Sequence, residues 1–131
     1  MSRVVLDASV LLAILNDEPG AEKFSKQSDL LESATISAVN VGEAYSKLVS
    51  LGIDPEDAWE AVIAPIPDIV AYDTDQAKTT GQLIRSTRSL GLSFGDRACL
   101  ALAIALKAPV YTADHAWKSL KVDVAVHLIR R

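Results

Sequence analysis

The chain is 131 residues long, enough for one domain and too short for two ordinary ones. Half of it is apolar and 23% is charged, which excludes a disordered chain, and the single cysteine, Cys99, excludes a disulfide framework and a cysteine zinc site. With 13 basic and 17 acidic residues the formal charge is −4, so this is not a strongly basic nucleic-acid binder, and the placement of the acids has to carry the functional argument.

Arg3 to Leu6 reads as a short buried strand ended by Asp7, and Ala8 to Leu15 as the helix that follows. No uncharged run is long enough to cross a bilayer, and Asp7 interrupts the opening apolar stretch, which argues against a signal peptide. The expectation is a cytoplasmic protein. Asp17-Glu18-Pro19-Gly20 is a turn by composition, and a helix is predicted over 21–31 with Phe24, Leu30 and Leu31 inward. Thr35-Ile36-Ser37 is β-prone, and Ser37 then serves as N-cap of a helix over 38–51. Val41, Ala44, Tyr45, Leu48 and Leu51 recur there at helical spacing, and Gly52 closes it.

Asp54-Pro55-Glu56-Asp57 combines a cap, a proline at the first helical position and acids in the first turn, and Pro65 and Pro67 stop that helix. Ile69 to Tyr72 is a third strand. Asp73 or Thr74 starts a long helix that runs to Leu90, ahead of Gly91. Phe94-Gly95-Asp96 opens a further helix with Cys99, Leu100, Ala103 and Leu106 on one stripe. Pro109 to Thr112 is a strand, 114–120 a short helix and 124–129 the last strand. Strands alternate with helices five times, the pattern of a parallel sheet covered on both faces in one α/β domain spanning 1–131.

Ligands of open α/β sheets bind beyond the carboxyl ends of the strands. Asp7 follows the first strand, Asp114 follows the strand ending at Thr112, Asp96 stands at a loop-to-helix junction, and Glu43 lies two turns into its helix near Asn40 and Ser37. Four carboxylates therefore converge on one rim in this reading. Without a cation their mutual repulsion would keep some protonated, and a set with no histidine or cysteine suits Mg²⁺ or Mn²⁺. Ser9 and Thr112 stand beside Asp7 and Asp114 and are placed to orient them. Setting the four acids aside leaves 13 acids against 13 bases, so the excess negative charge is the site itself. Arg85, Arg88, Arg97 and His115 are the candidate contacts for a phosphate backbone.

Each feature also has a plainer explanation. N-capping accounts for Asp7, Asp96 or Asp114 taken singly, and a Glu43–Lys47 pair at i, i+4 is an ordinary helix feature. Arg97 fits a pair with a site acid as well as a phosphate contact. Trp59 and Trp117 read as packing anchors or interface residues, His127 as structural, and Cys99 as a small buried hydrophobe. No Gly-rich dinucleotide fingerprint and no Gly-Lys-Ser/Thr phosphate loop is present. A phosphoaspartate enzyme would want a second acid where Ser9 stands.

Val4-Val5-Leu6-Asp7-Ala8-Ser9, Ile36-Ser37-Ala38-Val39-Asn40-Val41-Gly42-Glu43, Leu92 to Ala103 and Val110 to Trp117 resemble, in order, the successive motifs of PIN domains. They are most similar to those of VapC-type toxins of prokaryotic toxin–antitoxin systems. The resemblance covers nearly the whole chain. It implies a three-layer α/β/α domain with a central parallel sheet of about five strands and a Mg²⁺- or Mn²⁺-dependent endoribonuclease. By motif position Asp7, Glu43, Asp96 and Asp114 match the acidic quartet, Ser9 and Thr112 its hydroxyl neighbours, and Asn40 a nearby polar residue. His115 stands where many relatives carry Arg or Lys. The resemblance further implies a homodimer, a VapB-type antitoxin that blocks the acidic pocket, and an RNA substrate. The alternative is a non-catalytic module of the same fold that binds RNA or a protein partner through its acidic rim.

Overall fold

The computed structural model describes residues 2–25 and 28–131. Five short strands form one fully parallel sheet: β1 (Val4–Leu6), β2 (Ala34–Ser37), β3 (Asp68–Val70), β4 (Val110–Thr112) and β5 (Val126–Leu128), in the spatial order β3-β2-β1-β4-β5. Side chains alternate between the two faces of a strand, and in β1 both faces are covered. Val4 and Leu6 pack against α1 (Ala8–Leu15), α3 (Ala38–Ser50) and α4 (Pro55–Ile63), in one core with Leu11, Ile36, Val41, Leu48 and Val62. Val5 and Val110 face the other way, onto α7 (Phe94–Leu106), in a second core with Leu100, Leu102 and Trp117. Each fully buried leucine or valine there contributes roughly 1.5–3 kcal/mol. α5 (Thr74–Gln82) packs against α7 and completes the outer layer. The three-layer α/β/α expectation holds.

Chain order fixes where the site lies. From β1 the chain moves outward to β2 and β3, and only after α7 does it return to the other side of β1 as β4. The direction of winding therefore reverses at β1, and the crevice beyond the carboxyl ends of β1 and β4 is the place where such sheets bind ligands. The register pairs Leu6 with Ile36 on one side and with Tyr111 on the other, so Asp7 emerges between two strand ends.

Several expectations are corrected. The helix over 21–31 is two pieces, a 3₁₀ turn at Ala21–Phe24 and α2 at Asp29–Glu32. Ser25 is extended, and Ser28 restarts the helix by accepting from the Leu30 amide at 3.1 Å. Residues 26 and 27 of that helix lie outside the described residues. The long helix to Leu90 is likewise α5, α6 (Ile84–Thr87) and a 3₁₀ turn at Arg88–Leu90. Thr79, Thr80 and Thr87 turn their hydroxyls onto the carbonyls four residues back, which competes with regular helix geometry and bends it. The short helix at 114–120 is a 3₁₀ turn, His115–Ser119. Leu51, expected inside, is the C-cap of α3 and 64% exposed. Trp117 is a core anchor, fully buried, whereas Trp59 is exposed and set edge-on to Tyr45, its ring centre 5.3 Å away.

Gly20 closes the molecule at the far edge. Its φ of +96° is open to glycine, and a Cβ there would press into the backbone carbonyl of Ile129, just past β5. Arg130 reinforces this junction, donating to the Pro19 carbonyl at 3.1 Å and pairing with Glu18 at 3.0 Å.

Candidate active site

Asp7 is the N-cap of α1 and is only 3% exposed. Its Oδ1 accepts from the Ser9 hydroxyl at 2.6 Å and from the Val10 amide at 3.2 Å, and its Oδ2 accepts from the Thr112 hydroxyl at 2.8 Å. These donors favour the charged form, but burial outweighs them, and the nearby Asp96 adds repulsion, so the Asp7 pKa is pushed up from 3.8 to about 6. Ser9 and Thr112 are themselves fixed. The Ser9 Oγ accepts from the Ala113 amide at 2.9 Å, and the Thr112 Oγ1 accepts from the Asp114 amide at 3.0 Å. Two hydroxyls thus tie the end of β1 to the end of β4.

Asp96 stands in the first turn of α7. Its Oδ2 accepts from the Ser93 amide at 2.9 Å while the Ser93 hydroxyl accepts from the Asp96 amide at 3.2 Å, a reciprocal capping box. Partial burial, with repulsion from Asp114, raises its pKa despite the Ser93 bonds and the Arg97 charge. Glu43 projects from α3, and its Oε1 accepts from Asn40 Nδ2 at 2.7 Å. The same Nδ2 donates to the Gly95 carbonyl at 3.0 Å, so the fully buried Asn40 clips α3 to α7. The Glu43 carboxylate rests on the bare Cα of Gly95, where any Cβ would overlap it. That contact desolvates an otherwise exposed residue, and together with Asp96 it raises the Glu43 pKa. Asp96 is thus felt by both Asp7 and Glu43 and itself feels Asp114, which places it in the middle of one acidic rim. Beneath the rim lies the fully buried Cys99 thiol, whose pKa goes up by desolvation and then by the charges of Asp7, Asp96 and Glu43.

Asp114 is exposed and caps the 3₁₀ turn at Ala116 (2.9 Å), so capping and site membership coexist in Asp7, Asp96 and Asp114 alike. Glu43 is not paired with Lys47; the salt bridges among the described residues are Arg3–Asp68 and Arg130–Glu18. Arg97 makes no salt bridge with a site acid either. Its guanidinium donates to the Thr80 carbonyl at 3.0 Å and lies 5.7 Å from the centre of the Phe94 ring. Arg85, Arg88 and His115 are exposed and form no salt bridge with any of the four acids among the described residues. The turn carrying Arg88 does pack against the turn that begins at His115.

The rim matches a hard divalent cation in donor type, since it offers carboxylate oxygens and neither sulfur nor imidazole. It is not a finished cage. Among the described residues no three His, Cys, Asp or Glu side chains stand in position to hold a metal ion. The reason is visible in the bonds above: Asp96 is turned to Ser93, Glu43 to Asn40 and Asp114 to Ala116, each through one oxygen. Rotation about their own side-chain bonds would bring the remaining oxygens round. A cleft of about 720 Å³ lies elsewhere, at the end of α7 beside β5, lined by Ile104, Ala108, Asp123 and His127. Its one lining acid, Asp123, shares the cleft with Lys107, and none of the four rim acids reaches it.

The sequence reading did not single out Ser93 or Gly95. Ser93-x-x-Asp96 is a legible capping spacing, but the demand for glycine at 95 arises only when α3 meets α7.

Fold and rim together define a class: a doubly wound α/β/α domain with acids gathered at the topological switch point. Residues 4–122 match the family model of the PIN domain, and the chain belongs to that family. No significant match is found among curated sequences. In structure the chain is similar to DNA-bound VapBC from Salmonella typhimurium, with a TM-score of 0.73, 19% identity, and 98% of this chain and 99% of that one covered. It is also similar to VapC20 of Mycobacterium tuberculosis, described as a sarcin-ricin loop cleaving toxin, with a TM-score of 0.71, 14% identity, and 93% and 98% coverage. VapBC2 from Rickettsia felis bound to a promoter DNA fragment gives 0.70, 16% identity, and 95% and 97% coverage. At these identities the shared property is the fold.

Proposed function

We propose that this protein is a metal-dependent endoribonuclease and the toxin of a type II toxin–antitoxin system, with Asp7, Glu43, Asp96 and Asp114 as its catalytic and metal-holding residues. One observation carries the reading: Asp7, buried at the switch point with both oxygens engaged, has its carboxyl pushed up to about pKa 6. A carboxylate kept there against desolvation and against the Asp96 charge is what a cation would relieve. Mg²⁺ or Mn²⁺, when bound, supplies a Lewis acid for a phosphodiester oxygen and acidifies a water.

Asp7, Asp96 and Asp114 would hold the ion and Glu43 would hold it or a second one, with Ser9 and Thr112 fixing the orientation of Asp7 and Asn40 that of Glu43. Glu43, exposed at the lip, orients the attacking water and receives its proton at the free Oε2. Attack at phosphorus would break the bond to the 3′ oxygen, which takes a proton from solvent and leaves as the 3′-hydroxyl of the upstream fragment, while the phosphate stays on the downstream fragment as its 5′-phosphate. Arg85, Arg88, Arg97 and His115 are the candidate RNA contacts.

A VapB-type antitoxin would silence such a rim by inserting a basic side chain among the carboxylates, and the toxin itself would be a homodimer. That VapBC assemblies stand among the structurally similar proteins supports this partner without identifying it. The test is incubation of a total RNA pool with purified protein in Mg²⁺, Mn²⁺ or EDTA, beside Asp7→Asn. Discrete metal-dependent fragments, absent from the variant, are expected; full activity of the variant would sink the site assignment. The acids' turned-away placement favours a second reading, a binding module whose rim docks a basic partner. Metal-independent binding of RNA or a basic peptide with no cleavage products would establish it.

A further inference from the structure

Phe94 is an exception to the rule that large apolar side chains go inside. It is the first residue of α7, two positions before Asp96, and it is 53% exposed. Its ring is nevertheless held. Tyr72 meets it edge-on, ring centre to ring centre 6.1 Å at 68°, and the Tyr72 hydroxyl is in turn anchored on Thr80 Oγ1 at 2.9 Å. On another side lies the Arg97 guanidinium, pinned to the Thr80 carbonyl. Arg97 is paired with no carboxylate among the described residues, and its Nε is buried without a partner. A half-open aromatic ring and a cation in no salt bridge therefore stand together at the edge of an otherwise acidic rim.

We propose that Phe94 is a stacking platform for a nucleobase of single-stranded RNA, with Arg97 supporting the ring and drawing in the adjoining phosphate. The inference rests on the nuclease reading of the rim. Its argument is the pairing of chemistries. An aromatic face binds any base, a cation beside it suits the backbone, and both are fixed through α7 to the acids that would act on the neighbouring phosphodiester. An apolar partner side chain would use the ring face but would offer Arg97 no anion, whereas an RNA strand supplies both a base and a phosphate. Phe94 is a positioning residue, since it touches the substrate's base and not the reacting atoms.

The experiment measures fluorescence anisotropy of labelled 12-mers of adenylate and of uridylate on Asp7→Asn protein in Mg²⁺, so that binding is read without cleavage. Phe94→Ala in that background should weaken adenylate binding about tenfold and uridylate binding less, since purines stack more strongly. Phe94→Leu, which keeps the packing against Tyr72 but has no π-face, should fall with alanine, and Phe94→Trp should restore affinity. One abasic position in the adenylate strand should cost affinity in the parent and little in Phe94→Ala, a non-additivity that a general loss of fold would not produce. Equal affinity of the parent, alanine and leucine variants would overturn the stacking platform and leave the nuclease reading standing if the wild type cuts RNA. A parent that binds neither strand overturns the platform too, and cleavage by the wild type then decides separately whether the nuclease reading falls with it.

Discussion

Thr112 donates its hydroxyl proton to Asp7 Oδ2 at 2.8 Å while accepting from the Asp114 backbone amide at 3.0 Å, so one oxygen on β4 links the Asp7 carboxylate to the backbone that carries Asp114. Thr112 is fully buried. Thr112→Val keeps the shape and deletes both bonds, leaving a buried carboxylate oxygen and a part-buried amide without their partner. The expected loss is about 1–3 kcal/mol, read from urea unfolding. Thr112→Ser, which retains the hydroxyl, should recover most of it. A valine variant as stable as the wild type would show that the linkage carries no stability.

The raised pKa of Asp7 makes a signed prediction for the metal-free protein. Its carboxyl titrates at 3.8 in the unfolded reference and at about 6 in the folded state, so the folded protein holds the proton more tightly. The stabilising contribution is complete below about pH 4 and is lost as pH rises through 6, on the order of 3 kcal/mol in all. Glu43 and Asp96, also raised, act in the same direction. In EDTA, the wild type should therefore lose melting temperature between pH 4.5 and pH 7.5 more steeply than Asp7→Asn. Parallel curves for the two proteins would contradict the burial of this charge.

Addition of the ion should reverse that loss. A ligand that binds only the folded chain stabilises it by about 2.7 kcal/mol at a hundredfold excess over its dissociation constant. At pH 7.5, Mg²⁺ or Mn²⁺ should raise the melting temperature of the wild type and leave Asp7→Asn and Asp96→Asn nearly unmoved. A wild type indifferent to both ions would remove the support for a metal at this rim.

Gly95→Ala separates activity from stability. Alanine is the better helix former by up to about 1 kcal/mol, so the variant should fold at least as well as the wild type. Its Cβ, however, takes the space of the Glu43 carboxylate and breaks the Asn40–Glu43 contact. RNA cleavage should fall about 10–100-fold, the range seen when a supporting contact of a metal ligand is lost. Undiminished cleavage would show that Glu43 works from another position.

The alternation of strands and helices, the end of β1 at Asp7 and the caps Ser37, Asp54 and Asp73 were all legible, because each rests on residues adjacent in sequence. What was hidden depends on contacts made later. The break at Leu83 follows from threonine hydroxyls bonding back to the helix, and the same residues also occur in unbroken helices. Leu51 fits the apolar stripe of α3 yet lies at its last turn, past the sheet that would have buried it. Arg97 stands next to Asp96 in sequence, but a helix turns neighbours about 100° apart, and that rotation sent the guanidinium to Thr80 and Phe94. Asp7, Asp96 and Asp114 could be named from their places after strands and at helix starts, and Glu43 from its place on the helix that follows β2. Their present orientation, each bonded to a neighbouring donor, could not.

The central strand of this sheet is made before the other four, and its partner β4 only after β2, β3 and α7. Until β4 is made Asp7 has no Thr112 to bind it and no Asp114 beside it, and the Gly20 junction waits for Ile129 and Arg130. A growing chain therefore carries its acids dispersed, and the rim closes only when the final strands dock. For an enzyme that would cut RNA, that order of assembly delays the site until β4 and β5 have been made.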